Sequence, residues 1–237
     1  MAGKGTRTNS LGKFKPFVKV NGKKIIDWFL IGIKNKIKKN DIIFLITTID
    51  YEKKYNFKKK IKLIFKKNKL KTKNLIFKFV NETPNGPAYT VSSIKNILRN
   101  SKVPCVIINP DQLVDFDLPN KFDRDNIYIP LYFNNHGNSS YVKLNSQGSI
   151  IEIKEKNLIS NYASSGVYIF SSSTLLKKIL GLINKIRQKK EVNMSDLINI
   201  FIKKNKKKVN PISTLAKYDL GNIKDIKNFT IKDLKVI

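Results

Sequence analysis

The sequence predicts an α/β protein in which helices cover a sheet that is parallel in its first half and mixed in its second. Up to about residue 110, short apolar runs rich in β-branched residues alternate with stretches of helical period. Beyond that point, strand-like runs follow one another without long helices between them, as in antiparallel hairpins. With 237 residues and 41% hydrophobic composition, the chain can bury a sizeable core as one domain.

The first half is predicted to contain buried strands at residues 42–47, 75–80 and 103–109. Helices are predicted around them at residues 24–38 and 86–99, and a helix with a loop is predicted at residues 58–73. In the first helix, Ile25, Phe29 and Ile33 recur at every fourth position and so share one face. Because parallel neighbours need such crossover helices, we expect a parallel sheet with helices on both faces.

The second half is predicted to contain strands at residues 127–133, 140–144, 149–153, 166–170 and 212–215. Helices are predicted at residues 173–186, 194–202 and 223–229, with Ser195 as the N-cap of the second of them. No internal repeat or linker divides the chain, so we expect a single domain over residues 1–237.

The formal net charge is +30, from 47 basic and 17 acidic side chains. A basic nucleic-acid-binding protein is one explanation. It predicts exposed aromatic side chains among the basic ones, whereas here most aromatic residues lie in apolar runs. Lysine, asparagine and isoleucine, whose codons are AT-rich, dominate the composition, so we interpret most of the charge as solvated surface. The resulting field would still favour a phosphate-rich substrate.

Composition excludes other classes of protein. The single Cys105 cannot form a disulfide within the chain, and with the single His136 it cannot make a Cys/His zinc site. No apolar run approaches the roughly 20 residues of a membrane-spanning helix, and no secretion leader is recognisable. We therefore expect a cytoplasmic protein.

The chain opens with Gly3-x-Gly5-Thr6-Arg7, and Lys15-Pro16 follows. Glycines in such a loop let backbone N–H groups approach phosphate closely, and Arg7 and Lys15 would add cationic donors to the same phosphates. The alternative is a flexible N-terminal tail that contains small residues.

Further motifs follow in order: Val20-Asn21-Gly22-Lys23, Glu82-Thr83-x-x-Gly86, Asn109-Pro110-Asp111-Gln112, Glu155-Lys156, Ala163-x-x-Gly166 and Asp219-Leu220-Gly221-Asn222. Together with the opening they resemble the sugar-nucleotide pyrophosphorylases, a family of nucleotidyltransferases that act on sugar 1-phosphates. No single motif is specific, but their order spans residues 1 to about 229.

The resemblance implies a Rossmann-like three-layer α/β/α sandwich with a mixed, mostly parallel central sheet. It implies a nucleotide-binding half at about residues 1–112 and an acceptor-binding half at about residues 113–237. It also implies Mg²⁺-dependent transfer of a nucleoside monophosphate from a nucleoside triphosphate to a sugar 1-phosphate. By the same resemblance, pyrophosphate would be released and the nucleotide sugar would serve surface polysaccharide synthesis. Neither nucleic acid nor a membrane is an expected partner.

The resemblance also implies roles for particular residues. The implied set is Gly3, Gly5, Thr6, Glu82 and Gly86 for the nucleotide, Arg7 and Lys15 for catalysis, Asp111 and Asp219 for the metal, and Glu155, Lys156 and Gly166 for the acceptor. Each has a structural alternative, such as a turn at an aspartate, a helix start at a glycine or a solvated charge. Asn222 stands where the family usually has threonine.

Two further enzyme functions stay open. A related cytidylyltransferase would charge a non-sugar phosphate or phosphonate head group. A glycosyltransferase of similar fold would show an Asp-x-Asp metal motif. Asp115-Phe116-Asp117 has that form, but we place it in a loop beyond a strand end.

The first strand expected from the resemblance is missing from the sequence. In the family, an apolar strand precedes the Gly-rich loop, but Met1-Ala2 stand where that strand should end. We expect that translation begins upstream of Met1, because the remaining motifs are intact; the alternative is a truncated relative. The in-frame codons before Met1 distinguish the two.

Overall fold

The computed structural model describes residues 1–3, 14–186, 190–205 and 209–229. Its helices are α1 (Ile25–Ile33), α2 (Ile49–Tyr55), α3 (Phe57–Lys67), α4 (Pro87–Ser92), α5 (Ser173–Leu180), α6 (Met194–Asn205) and α7 (Ile223–Asn228). Its strands are β1 (Lys19–Val20), β2 (Lys23–Lys24), β3 (Ile43–Thr48), β4 (Leu75–Val80), β5 (Cys105–Ile108), β6 (Gln112–Phe116), β7 (Ile127–Phe133), β8 (Ser140–Leu144), β9 (Ile150–Glu155), β10 (Tyr162–Ser164), β11 (Val167–Phe170) and β12 (Val209–Asp219).

The chain divides into two compact units. Unit 1 comprises Met1–Pro84, Pro110–Asp115 and Leu215–Ile237, and unit 2 comprises Asn85–Asn109 and Phe116–Thr214. The single-domain organisation with halves that meet near residue 112 stays a prediction. None of the helices within the described ranges has both the length and the apolar character needed to cross a membrane.

Unit 1 contains the predicted parallel strand pair. β3 and β4 pair in unbroken register, from Ile43 opposite Leu75 to Thr48 opposite Val80. The chain between them forms α2 and α3, as a parallel crossover requires. In the part of the chain that the structure describes, β4 is the strand partner of β3, so the missing first strand stays a prediction.

A hydrophobic cluster in unit 1 packs around α1. Its buried members are Val18, Val20, Ile25, Trp28, Leu113, Leu220 and Phe229. The indole of Trp28 also donates a 2.8 Å hydrogen bond to the carbonyl oxygen of Val20. Leu220 directly follows Asp219, and Leu113 is two residues after Asp111. This packing therefore holds the segments that carry the two candidate aspartates.

Unit 2 contains a sheet of order β5-β11-β7-β10-β8-β9, in which each strand is antiparallel to its neighbours. The first part of β12 lies parallel to β7, from Val209 opposite Ile127 to Ser213 opposite Leu131. The predicted α/β class with a mixed sheet is thus confirmed. The structure has more antiparallel strand pairs than the mostly parallel sheet that the resemblance implies, because the strands from β7 to β10 are joined by short connections and not by helices.

Some elements have bounds that differ from the prediction. The helix predicted at residues 86–99 ends at Ser92, where the Ser92 and Ser93 hydroxyls donate to backbone carbonyls three residues earlier. Such side-chain bonds compete with the helical pattern. The strand predicted at residues 212–215 is part of the longer β12, and Asp115 lies in β6 rather than in a loop. Asp115 forms a 2.5 Å ion pair with Lys36.

Candidate functional site

Asp111 lies between β5 and β6 and is bound by a lysine from the start of the chain. Its Oδ2 accepts a 2.5 Å hydrogen bond from Nζ of Lys15, and both side chains remain partly exposed. Lys15 is held in a 3₁₀ turn, Lys15–Phe17, which Pro16 helps to fix. Burial acts to raise the pKa of Asp111, but the charge and hydrogen bond of Lys15 bring the pKa below its ordinary value. The carboxyl group is therefore ionised at neutral pH.

The segment after β12 approaches Asp111 closely at Gly221. The backbone N–H of Leu220 donates to the carbonyl oxygen of Asp111 at 2.9 Å. A Cβ on Gly221 would lie 3.1 Å from Oδ2 of Asp111 and 3.5 Å from Nζ of Lys15. A side chain at this position would thus press on the ion pair, and glycine avoids that contact.

Asp219, the last residue of β12, forms an ion pair with a lysine of the same strand. Nζ of Lys217 lies 2.5 Å from Oδ1 of Asp219, and the Lys217 side chain is only 6% exposed. Asp225 lies near both pairs: burial raises its pKa first, followed by repulsion from Asp219 and Asp111, while both lysines lower it. We call these five residues, Lys15, Asp111, Lys217, Asp219 and Asp225, the carboxylate–lysine cluster.

The first residues of the chain lie against the end of β3. Thr47 donates through its hydroxyl to the carbonyl oxygen of Met1 at 3.4 Å, and Tyr51 donates to that of Gly3 at 3.2 Å. Burial lowers the pKa of the Met1 amine to about 6, against the opposing attraction of Asp111. Gly3 therefore lies in unit 1, whereas Gly5, Thr6 and Arg7 lie outside the described residues.

A polar cavity of about 380 Å³ opens where β3 and β4 end. Its lining is Thr48, Asp50, Tyr51, Asn81, Glu82 and Thr83. The carboxyl ends of parallel strands commonly form binding crevices. Glu82, predicted to bind the nucleotide, thus lines a cavity in unit 1.

Gly86, also predicted to bind the nucleotide, belongs to unit 2. It has φ of 110°, and a Cβ there would lie 2.4 Å from the carbonyl oxygen of Val192. Ala88 donates its backbone N–H to that same carbonyl at 3.0 Å. Close packing against the segment before α6 therefore requires glycine here, which is a structural reason for the residue.

In unit 2, Glu155 ends β9 and accepts hydrogen bonds from two hydroxyl groups. Ser140 donates to Oε2 of Glu155, and Ser195 donates to the same oxygen at 3.3 Å. Within the described part of the chain, Glu155 has no ion-pair partner. A carboxylate bound only by neutral donors retains capacity to accept from a ligand hydroxyl or cation.

The other residues predicted to bind the acceptor flank the same strand ends. Lys156 is exposed, has φ of 51° and closes a turn by donating its N–H to the carbonyl of Ser139 at 2.8 Å. Gly166 has φ of 77° between β10 and β11, and its N–H donates to Ser164 Oγ at 3.2 Å. Burial raises the pKa of nearby Tyr168 to about 12, so its phenol stays protonated and can donate.

Comparison with known proteins identifies the family. The model of the nucleotidyl transferase family matches residues 1–235. This chain belongs to that family. No curated protein sequence matches it.

Solved structures agree with this nucleotidyltransferase in fold. The nucleoside-diphosphate-sugar pyrophosphorylase from Vibrio cholerae RC9 is 18% identical with a TM-score of 0.78, and the match covers 96% of each chain. A UDP-glucose pyrophosphorylase complexed with UDP-glucose is 15% identical with a TM-score of 0.69, covering 96% of this chain and 93% of that one. The inositol-1-phosphate CTP transferase from T. maritima is 15% identical with a TM-score of 0.73, covering 99% of this chain and 91% of that one.

Sequence reasoning missed Lys217 of this nucleotidyltransferase and misassigned Ser195. Lys217 stands two residues before Asp219 on one strand, and this spacing places both on the same face. Ser195 was predicted as the N-cap of α6, which is wrong, because α6 begins at Met194. The Ser195 hydroxyl binds Glu155 instead. Only the folded sheet brings that helix to β9.

The donor set of the cluster suits a hard divalent cation. Asp111 and Asp219 offer carboxylate oxygens, which Mg²⁺ prefers, and the remaining ligands of such a site are usually water and substrate phosphate. Residues 1–3, 14–186, 190–205 and 209–229 hold no group of three or more His, Cys, Asp or Glu side chains placed to bind a metal. The carboxylates of Asp111 and Asp219 nevertheless offer the oxygen ligands that a metal arriving with a triphosphate would need.

Proposed function

We propose that this nucleotidyltransferase transfers a nucleoside monophosphate from a nucleoside triphosphate to a sugar 1-phosphate and releases pyrophosphate. The observation that carries the proposal is the pairing of Lys15 with Asp111 beside Gly221, in a chain that the family model matches over residues 1–235. The product would be a nucleotide sugar, for use in surface polysaccharide synthesis in the cytoplasm.

The reaction requires positioning and charge neutralisation rather than a protein nucleophile. A phosphate oxygen of the acceptor attacks the α-phosphorus, the bond from that phosphorus to the bridging oxygen of the β-phosphate breaks, and pyrophosphate leaves. The attacking oxygen is already anionic, so no base has to remove a proton. Lys15 would donate to the triphosphate and stabilise the charge that accumulates on it. We propose the same role for Arg7.

Mg²⁺ would be held by Asp111 and Asp219 and would neutralise and orient the triphosphate oxygens. Backbone N–H groups at Gly3, Gly5 and Thr6 would approach the phosphates closely. Glu82, in the cavity at the end of β4, and Gly86 would contact the nucleoside.

Glu155, Lys156 and Gly166 of unit 2 would bind the acceptor. Glu155 has two neutral donors and no cation among the described residues, which suits a ligand hydroxyl. The exposed ammonium of Lys156 would bind the acceptor phosphate. The positive φ of Gly166 turns the backbone between β10 and β11.

A cytidylyltransferase that acts on a non-sugar phosphate is the second candidate. The fold match to an inositol-1-phosphate CTP transferase covers 99% of this chain. The contacts of Glu155 would suit a hydroxyl-bearing acceptor, but they do not distinguish a sugar ring from an inositol ring. This candidate therefore differs from the first in the acceptor and in the base.

Pyrophosphate release tests both candidates. Purified protein is incubated with Mg²⁺, each of ATP, CTP, GTP, UTP and dTTP, and each of glucose 1-phosphate, inositol 1-phosphate and phosphocholine. We expect release only with a matching pair, and none from Asp111→Asn. Release with inositol 1-phosphate and CTP alone would favour the second candidate. If no pair of a triphosphate and an acceptor releases pyrophosphate, and none raises the melting temperature, nucleotidyl transfer is contradicted.

A further inference from the structure

The cavity where β3 and β4 end carries negative charge in a strongly basic protein. The chain has 47 basic and 17 acidic side chains. The described residues that line the cavity nevertheless include the carboxylates of Asp50 and Glu82 and no cationic side chain. The other lining residues are polar and uncharged: Thr48, Tyr51, Asn81 and Thr83. The cavity therefore suits a group that donates hydrogen bonds, unlike most of the surface of this protein.

The register of the two strands brings the two carboxylates to the same edge of the sheet. The parallel pairing of β3 with β4 ends with Thr48 opposite Val80. Asp50 and Glu82 each stand two residues beyond that last pair, and neighbouring strands lie about 4.8 Å apart. Within the part of the chain that the structure describes, neither carboxylate has a hydrogen-bond donor or an ion-pair partner. Both are therefore available to a ligand in the cavity.

One wall of the cavity also contacts the segments that we propose for phosphate binding. The hydroxyl of Tyr51, which lines the cavity, donates to the carbonyl oxygen of Gly3 at 3.2 Å. The centre of the Tyr51 ring lies 4.4 Å from that of Phe14, the residue before Lys15. All of these residues belong to unit 1. A nucleotide with its phosphates at Gly3 and Lys15 would thus have its base at this cavity.

We propose that the cavity selects a base with an exocyclic amino group, namely cytosine, adenine or guanine, and that Glu82 accepts a hydrogen bond from this group. Uracil and thymine have no amino group, and their pairing edge presents two carbonyl oxygens around one N–H. An ionised carboxylate has no proton to donate to those oxygens and repels them. Carboxylates accept from the amino group of cytosine in the same way in nucleic-acid recognition. The inference rests on the proposed function and narrows the triphosphate that it uses.

The alternative role of the two carboxylates is unrelated to the base. Asp50 lies in the first turn of α2, where the helix dipole favours an acidic side chain, and Glu82 is exposed to solvent. The ratio of affinities for two triphosphates distinguishes the roles. Both nucleotides carry the same phosphates, so the field of the basic surface acts equally on them and cancels in the ratio.

The first measurement compares the dissociation constants of ATP, CTP, GTP, UTP and dTTP in the presence of Mg²⁺ by isothermal titration calorimetry. We expect the tightest ligand to be one of the three with an amino group. Loss of that group should weaken binding about tenfold, equivalent to about 1.4 kcal/mol. The matched ligand without the amino group is UTP for CTP, inosine triphosphate for GTP and purine riboside triphosphate for ATP. Tightest binding of UTP or dTTP would overturn the inference.

The second measurement repeats the matched pair of nucleotides with two variants. Glu82→Gln keeps the size of the side chain but supplies an amide that can donate, so the tenfold ratio should fall to about one. Glu52→Gln is the control, because it removes a carboxylate from α2 that does not line the cavity. Its amide oxygen can still accept from the backbone N–H of Lys58, so the fold and the ratio should be kept. An undiminished ratio in Glu82→Gln, or an equal loss in both variants, would overturn the inference.

These outcomes differ from failure of the proposed function. Pyrophosphate release with UTP or dTTP as the preferred substrate would leave nucleotidyl transfer intact and overturn only the selection of the base. If the unmodified protein binds none of the five triphosphates, both the proposed function and the inference are overturned.

Discussion

Substitution of Gly221 by alanine should lower turnover while leaving the stability of the fold nearly unchanged. The added Cβ would lie 3.1 Å from Oδ2 of Asp111, inside the 3.4 Å at which ordinary contact begins, so the carboxylate must move by a few tenths of an ångström. Asp111 is 38% exposed and can make this shift. Loss of glycine also reduces the entropy of the unfolded chain, worth about 0.4–1 kcal/mol. We expect the free energy of unfolding to change by less than about 1 kcal/mol, since the two effects oppose each other.

Turnover should respond much more strongly than stability. A shift of about 1 Å in a reacting group can cost about 100-fold, so a few tenths of an ångström at Asp111 should lower turnover about tenfold. Urea unfolding and pyrophosphate release from one preparation measure both quantities. Gly32→Ala is the contrasting variant, because its Cβ would lie 2.3 Å from the Val114 carbonyl oxygen and should destabilise unit 1 with no specific loss of turnover per folded molecule. Normal turnover in Gly221→Ala would refute the reasoning that turnover depends on the position of Asp111.

Three further outcomes are expected. Asp111→Asn should lower Mg²⁺-dependent turnover by about 100-fold or more while circular dichroism shows an intact fold; retained turnover would contradict the metal role. Lys15→Ala should lower turnover strongly and should leave the melting temperature nearly unchanged. An unchanged kcat would exclude Lys15 from triphosphate binding. Ser195→Ala removes a donor to Glu155 and should raise KM for the acceptor but not for the triphosphate; equal changes in both would indicate a general structural effect.

Local sequence was sufficient for most of the longer strands and for locating the motifs of the candidate site along the chain. β3 and β4 were predicted within a residue of their observed ends, because apolar runs of strand length bounded by polar residues are a short-range signal. The motifs around Lys15, Asp111 and Asp219 were visible for a similar reason, since turns and strand ends have characteristic residues. Their assigned roles in binding and catalysis stay predictions.

The tertiary structure alone decided which of these residues meet. Lys15 and Asp111 are 96 residues apart, and Ser195 and Glu155 are 40 apart. No periodicity of either segment encodes such a contact, which depends on how strands and helices pack. β12 illustrates the same limit: it is longer than its apolar run because pairing with β6 and β7 supplies backbone hydrogen bonds to polar residues as well. The sequence determined where polar groups occur along the chain, and packing determined which of them face one another.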